Sequence, residues 1–298
     1  MKALLAAVLL AFAAPMLAQA PPSYVERAEV KTFISEMVAR HGFVEGELNA
    51  LFSRVYRMDP VLQAIAAPAE IARWADYRPI FVNARRIAGG QAFWKTNEAF
   101  LERAVREYGV PSEIIVAIIG VETNYGRNAG RWRVVEALAT LAFDYPPRAS
   151  FFRTELENYL VLARDSGLDV FSVRGSYAGA IGIPQFMPGS LRRYAVDFDG
   201  DGAIDLSGNA ADAIGSVANY LKQHGWRTGE AVQRRKGPPD ESAGERSINL
   251  GSERRVGLAN FQVLMRYNRS PLYAAAVADL AEALKKNRGQ SPVVLESR

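Results

Sequence analysis

Ser112-Glu113-Ile114-Ile115-Val116-Ala117-Ile118-Ile119-Gly120-Val121-Glu122-Thr123-Asn124-Tyr125-Gly126-Arg127 is the stretch that decides the fold. Ser112 stands where a helix cap would, ahead of a helix from Glu113 to Val121. The run Ile114 to Ile119 is apolar all round, and a helix with no polar face is buried on every side. A chain of 298 residues with 49% hydrophobic content has the material to bury it. Glu122 follows the run directly. Partial burial disfavours its anion, and so does the negative end of the helix dipole. A carboxyl kept protonated near neutral pH is what a general acid requires. A structural ion pair with Arg127 accounts for Glu122 equally well on these residues alone.

Outward from this helix the chain reads as mainly α. Helical spacing of apolar positions covers residues 23–41 and 44–56, separated at Gly42, and residues 60–74. Residues 91–108 follow Gly89-Gly90 and stop at Gly109 with Pro111 beyond, ordinary helix-stop chemistry. Further helices fit 133–142, 147–165, 209–224 and 271–286. Residues 175–190 are rich in Gly, Ala and Pro and predict a tight turn region. Residues 228–256 hold Lys236-Gly237-Pro238-Pro239-Asp240, many charges and few large apolar residues, and predict a loop or small subdomain.

The first 20 residues carry Lys2, an apolar run, and Ala18-Gln19-Ala20. That is the pattern of a secretory signal peptide with cleavage after Ala20. The run is short for a bilayer span, which needs about 20 apolar residues, and no Cys exists to carry a lipid. The expectation is a soluble periplasmic chain with no stable membrane anchor. The absence of Cys also excludes disulfides, a thiolate nucleophile and a thiolate metal site. With His41 and His224 the only histidines, a Ser-His-Asp triad or a His-rich zinc site is nearly excluded. Carboxylates are left as proton carriers. The formal charge of +4 falls to about +3 without Lys2, a mild excess that suits an anionic polymer and is too weak to indicate nucleic acid.

Two other blocks bear on Glu122. Gly175-Ser176-Tyr177-Ala178-Gly179-Ala180-Ile181-Gly182-Ile183-Pro184-Gln185-Phe186-Met187-Pro188 is built of small residues with polar groups at Ser176 and Gln185. Small residues let backbone approach a ligand closely, although a Gly-mediated packing turn would also use them. Arg266-Tyr267-Asn268 sets an aromatic beside an amide, the pairing that sugars bind, and a common structural pairing as well. Asp197-Phe198-Asp199-Gly200-Asp201-Gly202-Ala203-Ile204-Asp205 follows the EF-hand opening D-x-D-x-D-G with an apolar eighth position. Gly208 holds the twelfth place instead of Glu. The loop is either an acidic surface turn or a cation site, and calcium in a structural role is the reading adopted.

With Ala137-Leu138-Ala139-Thr140-Leu141, Tyr194-Ala195-Val196-Asp197-Phe198, Asp212-Ala213-Ile214-Gly215-Ser216 and His224-Gly225-Trp226, these blocks run in order from about Trp74 to Ala276. The chain resembles the lytic murein transglycosylase B family, glycoside hydrolase family 103. The resemblance implies a lysozyme-like helical core that cleaves the β-1,4 bond between N-acetylmuramic acid and N-acetylglucosamine in peptidoglycan. It implies a 1,6-anhydromuramic end as product and no cofactor for the chemistry. It assigns the sole acid/base role to Glu122 and substrate contacts to Ser176, Gln185, Tyr267, Asn268 and Tyr77, with Tyr220 and Tyr273 acting likewise. It implies Ca2+ ligands at Asp197, Asp199, Asp201 and Ala203, closed by Asp212, with one residue more in that interval than the family carries. The implied partners are glycan strands and other cell-wall enzymes.

The resulting organisation is a signal peptide at 1–20, an N-terminal helical region at 21–90, a catalytic core at 91–226 with the EF-hand-like loop at 197–212, a short insertion at 227–262, the rest of the core at 263–288, and a polar tail at 289–298. The insertion is shorter than the β-rich one usual in the family and poor in strand formers. A hydrolytic muramidase and a non-catalytic peptidoglycan-binding scaffold are the competing functions.

Overall fold

The computed structural model describes residues 23–67, 73–251 and 253–288. The expected signal peptide and polar tail lie outside the described residues. The chain begins with a 3-10 turn, Tyr24–Glu26, and then α1 (Ala28–His41), α2 (Glu45–Phe52) and α3 (Asp59–Ala66). Next come α4 (Trp74–Phe81), α5 (Ala84–Thr96), α6 (Glu98–Tyr108) and α7 (Ser112–Thr123). A short strand β1 (Trp132–Arg133) leads into α8 (Val134–Asp144) and α9 (Ala149–Asp165), and β2 (Arg174–Gly175) pairs antiparallel with β1. Then follow α10 (Pro188–Tyr194), α11 (Ala210–Gln223), the strands β3 (Gln233–Arg234), β4 (Arg246–Asn249) and β5 (Arg254–Gly257), α12 (Ala259–Tyr267) and α13 (Pro271–Lys286). The mainly α expectation is borne out. No helix among the described residues is long and apolar enough to cross a membrane.

Several elements differ from the periodicity reading. The helix expected over 60–74 ends at Ala66, and α4 starts anew at Trp74. The helix expected from 91 begins at Ala84, because Asn83 caps it by accepting from Arg86 N, and Gly89-Gly90 lie inside it. It breaks at Asn97, which separates α5 from α6. Ser112 makes no cap bond and is the first residue of α7, after Pro111 in the cap place. The 228–256 region is not only loop: it holds a three-stranded antiparallel sheet in the order β3-β5-β4.

The core is organised around α7. Ile115 to Ile119 have no accessible surface, and α5, α6, α11 and α13 pack about them. Ala274, Ala275, Ala276 and Leu280 of α13 are fully buried, and that helix packs against α7. The Tyr125 ring fills the slot between α5 and α7 because Gly90 and Gly120 lack side chains there. A Cβ on Gly120 would meet the Tyr125 hydroxyl at 2.7 Å and its ring carbons at 2.8 Å. At the N-terminal end Phe33, Phe52 and Phe143 meet edge to face at 5.9–6.4 Å. Arg27 donates to Asp144 Oδ1 at 2.8 Å and Phe143 O at 2.9 Å, and Tyr24 donates to Asp144, tying this end to α8.

Candidate active site

Helix α7 delivers Glu122 to its C-terminal turn, where the chain leaves in the left-handed region at Asn124 (φ 53°) and Tyr125 (φ 62°). Asn tolerates that conformation; a bulky Tyr rarely does. Tyr125 is held there by its O–H donating to Arg86 O at 2.8 Å. Arg86 in turn donates to Gly120 O, a carbonyl at the end of α7. This cation offsets the negative helix end beneath Glu122. Gln185 (φ 53°) is the third non-glycine residue in the left-handed region among the described residues. Gln185 lines the pocket that Glu122 faces, and Asn124 and Tyr125 directly follow Glu122 in the chain, so backbone strain collects around this one carboxyl.

That pocket has a volume of about 500 Å³ and is lined by Glu122, Arg127, Ser176, Tyr177 and Gln185 with the Asn128–Trp132 turn. Glu122 is the one carboxylate among its lining residues. The carboxyl meets Tyr273, whose O–H donates to Glu122 Oε1 at 2.6 Å, and not Arg127, which is exposed at the rim. Burial pushes the Glu122 carboxyl up to about 7, and the Tyr273 bond pulls against that rise.

The residues named from the sequence take distinct places. Ser176 Oγ accepts from Ala180 N at 3.0 Å, so the small-residue turn folds on its own hydroxyl. Gln185 Nε2 donates to Ala129 O at 3.0 Å and Gly182 O at 2.9 Å, which fixes the far wall. Thr123 Oγ1 donates to Ile183 O at 2.8 Å and binds that wall to α7. Tyr267 donates to Pro184 O at 2.6 Å, and Tyr220 donates to Arg266 O at 2.8 Å. Tyr273 is 2% exposed and its ring stacks on Tyr267 at 6.4 Å. The hydroxyls of Tyr220, Tyr267 and Tyr273 are thus committed to protein partners. Asn268 is exposed at the end of α12. Tyr77 is half-buried on α4, its ring 5.1 Å from that of Phe81. Sequence reasoning missed Arg86 and the pocket residues Arg131 and Trp132. Trp132 had a signal, an aromatic just past the Gly126-Arg127 match; Arg86 had none.

In the acidic loop, carboxylate oxygens of Asp197, Asp199 and Asp212 lie within 4.8 Å of one another. Asp201 is outside this group and accepts from Ala203 N at 2.8 Å. Asp212 is fully buried; its two oxygens accept from Phe198 N at 2.7 Å and Asp205 N at 2.8 Å. The Gly202 and Gly200 amides hold the Asp197 carboxyl below its usual range.

The chain as a whole is similar to known proteins. The profile of the Transglycosylase SLT domain matches residues 26–255 and 236–282. The membrane-bound lytic murein transglycosylase B of Escherichia coli is 39% identical, over 90% of this chain and 85% of that one. The crystal structure of the soluble lytic transglycosylase SltB1 from Pseudomonas aeruginosa superposes with a TM-score of 0.80 at 48% identity, covering 88% of this chain and 99% of that one. The Escherichia coli lytic transglycosylase Slt35 in complex with calcium superposes with a TM-score of 0.79 at 40% identity, covering 88% and 94%.

Proposed function

The chain belongs to the Transglycosylase SLT domain family, and we propose that it is a lytic transglycosylase cutting the β-1,4 bond between N-acetylmuramic acid and N-acetylglucosamine in peptidoglycan, with Glu122 as acid and then base. The observation that carries this is a lone carboxyl on the pocket wall, held near neutral acidity and bonded by Tyr273. Most glycosidases flank the bond with two carboxyls about 5–9.5 Å apart. The Glu122 pocket offers no second one among its lining residues.

The steps follow from that geometry. Protonated Glu122 gives its proton to the leaving glycosidic oxygen as the C1–O bond breaks. The muramic N-acetyl group stabilises the cation-like C1. Glu122, now a carboxylate steadied by the Tyr273 O–H, takes the proton of the C6 hydroxyl as O6 bonds to C1. The nucleophile is tethered to the substrate, so proximity favours it over water. Ser176, Gln185 and Asn268 are the polar contacts for the sugars, and Tyr77 is an aromatic one. Tyr220, Tyr267 and Tyr273 act as the wall that sets the cleft. The reaction belongs in the periplasm, where its substrate lies. Digestion of murein tests the reading by mass: the new muramic ends are one water lighter than a hydrolase would leave. Hydrated reducing ends would instead make the protein a muramidase.

Asp197, Asp199 and Asp212 suit a hard cation, since three carboxylate oxygens converge where glycines allow the sharp turn. Calcium would hold this loop against α11 and take no part in the chemistry. Saturating calcium is expected to raise the thermal midpoint by roughly 5 °C, and Asp199→Asn to lose most of that rise. An unchanged midpoint in the wild type would refute the site.

A further inference from the structure

The short insertion bonds α4 and α13 through residues that do not line the pocket. Arg255 of β5 and Asp279 of α13 are both 2% exposed. Arg255 donates to Asp279 at 2.6 Å (Nη1 to Oδ1) and 3.2 Å (Nη2 to Oδ2), and to Glu253 at 2.9 and 3.0 Å. Gln233 Nε2 of β3 donates to Asp279 Oδ1 at 3.2 Å. Arg235 lies 3.0 Å from Glu253 and 3.6 Å from Asp279 and Glu282. Three guanidiniums, those of Arg78, Arg235 and Arg255, therefore meet three carboxylates. Burial raises the Asp279 carboxyl, but the Arg255 and Arg78 bonds outweigh it and leave it below its usual range. A buried charge deprived of its partners is strongly destabilising, so the parts that supply those partners are held together.

One of those parts is α4. Arg78 Nε donates to Asp279 Oδ2 at 2.6 Å. One turn earlier on the same face, buried Trp74 donates from Nε1 to Glu253 Oε2 at 3.1 Å, and the Arg255 guanidinium lies 5.0 Å over its ring. No side chain caps the start of α4. Tyr77 sits between these two anchors in sequence, on a helix that packs against α13, the helix whose Tyr273 bonds Glu122.

We propose that the insertion and α13 together buttress the cleft: Glu253 and Arg255 of the insertion hold Trp74, Asp279 of α13 holds both Arg78 and Arg255, and this joint seat for α4 sets where Tyr77 meets the glycan. Arg78 and Glu253 are positioning residues that touch no substrate. The proposal rests on the substrate contact of Tyr77 proposed above. It also gives a shortened insertion work in the reaction without a glycan contact of its own.

A double-mutant cycle on purified full-length protein tests it, with soluble muropeptide oligomers as substrate. Arg78→Met leaves the buried Arg255–Asp279 pair intact. It is expected to raise KM about tenfold, with kcat and the pH profile unchanged, and Arg78→Lys to recover part of the loss. Tyr77→Ala is expected to raise KM similarly, and the double variant to be no worse than Tyr77→Ala alone. Glu253→Gln serves in the same cycle from the insertion side, and replaces Arg78→Met if that variant does not fold. Multiplying KM losses, or a KM untouched by the positioning variants, would overturn the buttress. An unchanged KM in Tyr77→Ala alone would overturn both the Tyr77 contact and the buttress, while leaving the Glu122 chemistry standing.

Discussion

Glu122→Gln is expected to lower glycan cleavage by at least about 10³-fold, near the upper range for loss of a general acid and base. The loss is large because the proposed mechanism uses one group in two steps. A Gln side chain can neither give a proton to the leaving oxygen nor take one from the C6 hydroxyl. The fold should be unaffected, because Gln keeps an oxygen to accept from Tyr273 and fills the same volume. Thermal melting of the variant beside its turnover separates the two effects. Turnover within tenfold of the wild type would remove Glu122 from the reaction. Loss of turnover with loss of folding would instead make it a structural carboxyl.

The second large effect is on pH. On the proposed mechanism the free enzyme needs Glu122 protonated, and burial pushes its carboxyl up to about 7. Above that pH, kcat/KM should fall about tenfold per unit. The O–H of Tyr273 favours the anion, so it pulls the midpoint down. Tyr273→Phe removes that bond and should push the midpoint further up, by roughly one unit or more if the bond has the strength usual toward a charged group. The alkaline limb then moves to higher pH. At the same time kcat drops, because the carboxylate of the second step loses its donor. A limb that stays in place, or moves to lower pH, would show that Tyr273 does not govern this proton.

How much of this was legible depended on distance along the chain. The run Ile114–Ile119 announced a buried helix, and the glutamate at its end stood out because few core helices finish on a carboxyl. Ser176 and Gln185 were visible in a stretch too poor in bulk to be ordinary core, and the pocket brings both beside Glu122. The Tyr273 bond joins residues 151 apart, so no spacing could reveal it. Arg86 was hidden for the same reason: its bond to Gly120 O needs α5 already packed on α7. The insertion hid its strands because Arg255 points into an ion cluster instead of an apolar core, which erases the alternation that marks a strand. Asn97 split an apolar pattern that periodicity read as one helix, since α6 resumes within a residue of the end of α5. In the acidic loop, the alternate carboxylates Asp197 and Asp199 were local and readable. The part of Asp212 required a family resemblance, because it closes the loop from the first turn of α11.

The central claim is that the substrate's own C6 hydroxyl, not water, completes the cleavage that Glu122 begins. Cleavage of muropeptide oligomers in ¹⁸O-labelled water, read by mass spectrometry, tests it most directly. The account predicts muramic ends one water lighter than a hydrolysed end and free of ¹⁸O. A new muramic end carrying one ¹⁸O would mean that water attacks C1, and would contradict it.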